Sequence, residues 1–143
     1  FSNHPDVELI AGSSRDEGRR ERFEARAGGG VTTYADWQEM LTAVKPDIVG
    51  VATYTPQHAE MTIACARQGV KAVLCEKPVA AYLSEGEAMI SECAAAETIL
   101  AFNHQRRYDE RWLRIRDALA GRGDDGIGTI ISAHLQWPSG RFG

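Results

Sequence analysis

Short apolar runs bounded by turn residues alternate along the chain with longer amphipathic stretches, a pattern that predicts strands and helices taking turns in an α/β sheet. The strands fall near residues 7–12, 47–53, 71–75 and 98–103. They are rich in apolar residues and carry few charges, as parallel strands covered on both faces do. Between them the charged stretch 16–27 predicts a helix stopped by Gly28-Gly29-Gly30, Tyr34 ends a short edge strand, and Asp36 is placed to cap a second helix. Pro56 sits in the first turn of a third helix that runs to Gln68, with Thr55 as its cap and Gly69 in the stop position. Ser84 is placed to cap a fourth helix reaching Ala96, and 109–120 predicts a long basic helix. Beyond it Gly126-Ile127-Gly128 leads into a β-rich run at 129–137 that has no partner strand left in the chain. That run reads as the first strand of a second domain, so residues 1–104 and 105–143 are expected to belong to different domains.

Composition limits the chemistry. At 143 residues, 43% hydrophobic and 25% charged, the chain can build the core of an ordinary globular domain. Sixteen Lys and Arg against 20 Asp and Glu leave a formal charge of −4, which gives no general attraction to nucleic acid or anionic membrane. Cys65, Cys75 and Cys93 are widely spaced and form no CxxC pair. Reduced, mostly buried thiols and no metal site are expected. No apolar run approaches the roughly 20 residues of a membrane span, and no basic-then-apolar signal pattern is read at the start, so a cytoplasmic location is expected. The chain starts at Phe1 rather than Met and its first apolar run follows almost at once, so further sequence before Phe1 is expected.

In open parallel sheets the ligand crevice lies outside the carboxyl ends of the strands, and four such ends carry chemistry here. The first is Gly12-Ser13-Ser14-Arg15. An acidic residue at this point accepts from a ribose 2′-hydroxyl, whereas a small hydroxyl residue followed by Arg suits a 2′-phosphate, so Ser14 and Arg15 favour NADP over NAD. The plainer reading is a turn serine and a solvated charge at a helix start. The second is Ala52-Thr53-Tyr54-Thr55-Pro56-Gln57-His58. Its hydroxyls, with Pro56 preset for a first helical turn, offer donors to ribose or phosphate oxygens. His58 falls at the same edge, although a lone histidine is as readily a packed one.

The third end, Val73-Leu74-Cys75-Glu76-Lys77-Pro78, matters most. An apolar strand running into Glu-Lys-Pro places Lys77 between apolar flanks with its tip at the crevice, and Pro78 restricts the local backbone. Burial there would disfavour the ammonium and let Lys77 exchange a proton with a substrate hydroxyl. Taken alone, Glu-Lys is a common surface dipeptide. The fourth end is Ala101-Phe102-Asn103-His104-Gln105-Arg106-Arg107-Tyr108. Its amide and guanidinium groups can hold a nicotinamide carboxamide or an anionic substrate group, or serve as a hinge between domains. Arg106, Arg107, Arg111, Arg114 and Arg116 are in part a solvated helix face.

In order and spacing these pieces resemble the glucose-fructose oxidoreductase, inositol dehydrogenase and rhizopine-catabolism family, written Gfo/Idh/MocA. The strongest stretches are Asp47-Ile48-Val49-Gly50-Val51-Ala52-Thr53, Thr55-Pro56-Gln57-His58-Ala59-Glu60-Met61 and Gly69-Val70-Lys71-Ala72-Val73-Leu74-Cys75-Glu76-Lys77-Pro78. The resemblance implies a Rossmann-like, doubly wound parallel sheet followed by an α+β domain. That second domain covers the nicotinamide and often supports oligomerisation, so a homo-oligomer is expected at full length. The resemblance also implies that Ser14 and Arg15 sit at the adenosine ribose, and that Thr53, Thr55, Pro56 and His58 line the cofactor cleft. Glu76, Lys77 and Asn103 would stand near the nicotinamide, with Lys77 in proton transfer. The family's opening strand and glycine-rich phosphate loop would precede Phe1, and the aspartate and histidine that accompany the lysine would follow Gly143. Gly28-Gly29-Gly30 is no substitute for that loop, because it ends a helix instead of opening one.

The activity expected of the parent protein is reversible oxidation of a secondary alcohol on a sugar, cyclitol or related polyol, with hydride passing to NADP or NAD. A Rossmann protein that senses NADP or a sugar without turnover is the alternative. It would keep Ser14, Arg15 and the strand-end loops but would not need Lys77. A phosphorylated receiver domain would need aspartates at the first strand ends, where this chain has Ser13 and Ser14. The 143-residue chain by itself, without the phosphate loop and facing domain, is expected to bind dinucleotide poorly.

Overall fold

The computed structural model describes residues 4–121 together with Thr129, Ile131, Ser132 and His134. Gly126-Ile127-Gly128 and most of the run at 129–137 lie outside the described residues. The chain divides between Asn103 and His104 into two compact units. In the first, the alternation becomes β1 (Ala11–Ser13), α1 (Glu17–Ala27), β2 (Thr32–Tyr34), α2 (Trp37–Val44), β3 (Ile48–Val51), α3 (His58–Arg67), β4 (Ala72–Cys75), α4 (Leu83–Ala95) and β5 (Ile99–Phe102). The second carries a 3-10 turn, Gln105–Tyr108, and α5 (Glu110–Leu119). No helix among the described residues is long and apolar enough to cross a membrane.

All strand pairing among the described residues is parallel. β1 pairs with β2, setting Ala11 opposite Thr32 and Ser13 opposite Tyr34. β3, β4 and β5 form a second ladder in which Val51, Cys75 and Phe102 stand in line. Among the described residues no ladder joins the two sheets. Set against the doubly wound order 3-2-1-4-5-6, the five strands match places 2 to 6, and the break falls at place 1. The first strand is shorter than its apolar run for the same reason. β2 is the only described partner of β1, and its pairing reaches back no further than Ile10, whose carbonyl accepts from Thr32 N at 3.0 Å.

Two helices start where capping chemistry puts them: Asp16 accepts from Arg19 N at 2.8 Å and Asp36 from Gln38 N at 2.7 Å. α1 stops at Gly28 with φ of 77°, a left-handed conformation that glycine adopts without a Cβ clash. Two other starts differ from expectation. Thr55 caps nothing; Thr55–Gln57 form a 3-10 turn entered from Tyr54, and α3 begins at His58. Ser84 lies inside α4, because the Glu85 carboxylate reaches back to the amides of Ala81 and Tyr82 at 3.1 and 3.2 Å and starts the helix at Leu83.

The core lies on one face of the three-stranded sheet. Val51, Val73 and Cys75 from the strands join Met61 and Cys65 of α3 and Met89 of α4. Right-handed crossovers that step β3 to β4 to β5 in one direction put α3 and α4 on the same side. The opposite face, with Ile48 and Ile99 aligned across Ala72, stays 45% and 69% exposed at those two positions. Cover on both faces was the expectation; the described residues supply it on one. All three cysteines are buried and unpaired. Burial pushes the Cys65 thiol up to about 12 and raises Cys75 and Cys93 as well, so none is a reactive thiolate at neutral pH.

The packing of α1 on the first sheet depends on a glycine. A Cβ added at Gly12 would stand 2.5 Å from Cε1 of Phe23. Gly12→Ala is therefore expected to destabilise the chain by about 1–3 kcal/mol, read as a lower urea midpoint at unchanged slope. An unaltered midpoint would mean that the Phe23 ring moves aside without cost.

Candidate functional site

The carboxyl ends of β3, β4 and β5 form one edge, because their hydrogen bonding continues past the strands. Glu76 N donates to Val51 O at 2.9 Å and Asn103 N donates to Cys75 O at 2.8 Å. Glu76 is thereby placed between the ends of β3 and β5, where its Oε1 accepts from Asn103 Nδ2 at 2.5 Å and its Oε2 from Lys77 N at 3.2 Å. The Asn103 bond first, then the Lys77 amide, hold the Glu76 carboxyl below the usual carboxylate range. At neutral pH it is a fixed, ionised acceptor. Lys77 follows directly and is joined to Pro78 by a cis peptide bond. Its side chain is exposed, so the apolar flanks expected around it are not formed by the described residues.

Beside this group, Thr53 is exposed and its hydroxyl donates to Met61 Sδ at 3.5 Å. Tyr54 stands 76% exposed, and Thr55 and Pro56 follow in the 3-10 turn. His58 does not share their exposure. It is fully buried, with Nδ1 at 2.9 Å from Pro78 O and Nε2 at 3.1 Å from Thr53 O. The histidine thus stands behind the edge, bridging the segment after β3 to the segment after β4, with no ring nitrogen turned outward.

Ser14 and Arg15 lie at the end of the other ladder. Ser14 N donates to Tyr34 O at 3.0 Å, and Ser14 Oγ accepts from Asp16 N at 3.3 Å, so part of its hydrogen-bonding capacity shapes the turn into α1. Arg15 is exposed. Arg20 was not singled out by the sequence pattern, yet its Nη1 donates to the carbonyls of Ser14 at 2.7 Å and Arg15 at 3.2 Å and holds the turn. The signal was its place one helical turn beyond the Asp16 cap, on the side of α1 that returns to β1.

In the second unit, Gln105, Arg106, Asp109, Arg111, Trp112 and Ile115 line a depression. Gln105 and Arg106 of the fourth strand end belong to it, whereas Ser14, Arg15, Thr53, Thr55, Pro56, His58, Glu76, Lys77 and Asn103 do not. Several cations nearby are engaged by acids: Arg111 holds Asp109 in a two-point pair at 3.0 and 2.7 Å, drawing that carboxyl down to about 2, and Arg114 reaches Glu110 at 2.7 Å. Among the described residues no group of three or more His, Cys, Asp or Glu could hold a metal ion.

Comparison with known proteins places residues 1–104 in a nucleotide-binding fold. A family model described as "Oxidoreductase family, NAD-binding Rossmann fold" matches residues 1–104. The chain is 32% identical over 130 residues to the myo-inositol 2-dehydrogenase of Thermotoga maritima, covering 91% of this chain and 36% of that protein. It is 33% identical over 131 residues to the 1,5-anhydro-D-fructose reductase of Ensifer adhaerens, covering 91% and 37%. The crystal structure of myo-inositol 2-dehydrogenase from Lactobacillus plantarum matches with a TM-score of 0.77 at 26% identity, over 83% of this chain and 35% of that one. The chain therefore spans just over a third of the length of these relatives.

Proposed function

Because the chain belongs to the Gfo/Idh/MocA oxidoreductases, a family with an NAD-binding Rossmann fold, we propose that its parent moves a hydride between a secondary alcohol and nicotinamide. The alcohol is that of a sugar, cyclitol or related polyol. The observation that carries the reading is the edge at which an ionised Glu76, clamped by Asn103, presents the exposed Lys77. Two relatives support the substrate class, being named for dehydrogenation of myo-inositol and reduction of 1,5-anhydro-D-fructose.

The donor set suits the nicotinamide end of a dinucleotide. Glu76 can accept from a ribose hydroxyl, and Asn103, which gives one of its two Nδ2 hydrogens to Glu76, has Oδ1 to accept from a carboxamide N–H. Thr53, Thr55 and Pro56 line the neighbouring cleft, and His58 supports it from beneath. Bound nicotinamide supplies the hydride chemistry. Lys77, as the neutral amine, takes the hydroxyl proton of the substrate as the alcohol is oxidised and, as the ammonium so formed, returns it in the reverse direction. At the far end Arg15, on a turn held by Arg20, pairs with a 2′-phosphate and favours NADP, with NAD also accepted. The family's opening strand would fill place 1 between β1 and β3 and bring its phosphate loop to the same edge. A second domain at 105–143 and beyond, homo-oligomeric assembly and a cytoplasmic location complete the reading.

Steady-state turnover of polyols by the intact parent with each dinucleotide is the test. Oxidation is expected with both, kcat/KM is expected to be higher for NADP, and Arg15→Ala is expected to erode that preference by about tenfold. Dinucleotide binding with no turnover of any polyol would instead favour the sensing protein.

A further inference from the structure

His58 opens α3 from a fully buried position, and each of its ring nitrogens faces a backbone carbonyl, that of Pro78 at 2.9 Å and that of Thr53 at 3.1 Å. A carbonyl oxygen can only accept, so every hydrogen bond in this bridge is donated by the imidazole. A neutral ring has one N–H and serves either carbonyl; an imidazolium serves both. The bridge has no described substitute. Lys77 N bonds to Glu76 within its own segment, and the Pro78 carbonyl contact with His58 is the described hydrogen bond that ties residues 77–80 to another part of the chain.

We propose that His58 is the positioning residue of the lysine loop: by holding the carbonyls of Thr53 and Pro78 together, it sets the point from which Lys77 reaches the reacting hydroxyl. The role rests on the reading of Lys77 as the proton-transfer residue. It differs from packing, because a side chain of the same size without donors fills the volume and leaves both carbonyls unbonded.

H58Q and H58L separate donation from volume, since Gln keeps a two-donor amide and Leu keeps size alone. In this chain the backbone order parameters of Lys77 and Val79 report the loop. They are expected to stay near the rigid level of about 0.85 in H58Q and to fall below about 0.6 in H58L, with Met89 as an unchanged control for the core. In the intact parent, H58L is expected to lower kcat by roughly tenfold to a hundredfold with little change in dinucleotide KM, and H58Q to restore most of it. Order and kcat in H58L equal to wild type overturn the proposal. Lys77→Ala measured alongside distinguishes the two readings: if it leaves turnover intact, proton transfer by Lys77 has failed; if it removes turnover while H58L matches wild type, only the positioning role has failed. Should H58L not fold, a scalar coupling from a His58 ring nitrogen of the wild type to the Pro78 carbonyl carbon supports the bridge, and its absence overturns it.

Discussion

Lys77→Ala in the intact parent is expected to lower kcat for polyol oxidation by about 10²–10⁴-fold, while the dissociation constant for dinucleotide changes by no more than a few-fold. The separation follows from where the residue stands. Its side chain is exposed, and it makes no side-chain hydrogen bond or ion pair among the described residues, so removing it leaves the core and the Glu76–Asn103 hydrogen bond in place and takes away only a minor part of what lowers the Glu76 carboxyl. Under the proposed role the group lost is the one that acts on the reacting hydroxyl, so kcat and kcat/KM should fall together. Lys77→Arg sharpens the test. Arginine keeps the positive charge but does not give up a proton, so a proton-transfer role predicts a loss close to that of alanine, whereas a purely electrostatic role predicts recovery. Dinucleotide binding retained with polyol oxidation unchanged in Lys77→Ala would remove the lysine from the mechanism.

Met89→Ala carries the largest expected change in stability, about 2–5 kcal/mol. Met89 is fully buried on α4 and belongs to the cluster that includes Val51, Met61, Cys65, Val73 and Cys75. Truncation removes apolar contacts from both the helix and the sheet and leaves a cavity that the surrounding strands cannot close without breaking their register. Measured against the roughly 5–15 kcal/mol that holds a domain folded, the loss is a large one and should appear as a sharply lower denaturation midpoint. Ile90 is the internal control. Its side chain is 58% exposed, and Ile90→Ala is expected to stay within about 0.5 kcal/mol of wild type. Equal losses at the two positions would contradict the placement of the core.

Much of this organisation is legible in the residues alone, and the exceptions have physical causes. Val49, Val51, Val73 and Cys75 announce buried strands because parallel strands draw on apolar residues throughout. Which face receives the helices depends on the handedness of successive crossovers, which no local run encodes, and so the exposure of Ile48 and Ile99 was not foreseen. Asp16 and Asp36 mark helix starts because a short acidic side chain bonds its own turn. Ser84 misleads because Glu85, one residue on, has the reach to bond two earlier amides. The Glu76-Lys77-Pro78 and Asn103 group is legible as a set of strand ends, although the bond between Glu76 and Asn103 follows from the register of β4 with β5. His58 shows the same limit. Its position in the sequence places it at the ligand edge, but only the direction of its ring places it behind that edge, on the carbonyls of Thr53 and Pro78.

Hydride transfer at the edge built by Glu76, Lys77 and Asn103 is the step proposed for the parent. A polyol carrying deuterium on its secondary carbinol carbons, incubated with the intact parent and NADP in its oxidised form, tests it without intermediaries. Deuterium is expected to appear at C4 of the reduced nicotinamide, and Lys77→Ala is expected to suppress its appearance. Saturable binding of the dinucleotide with no deuterium in its ring, across inositols, hexoses and anhydrohexoses alike, would contradict it.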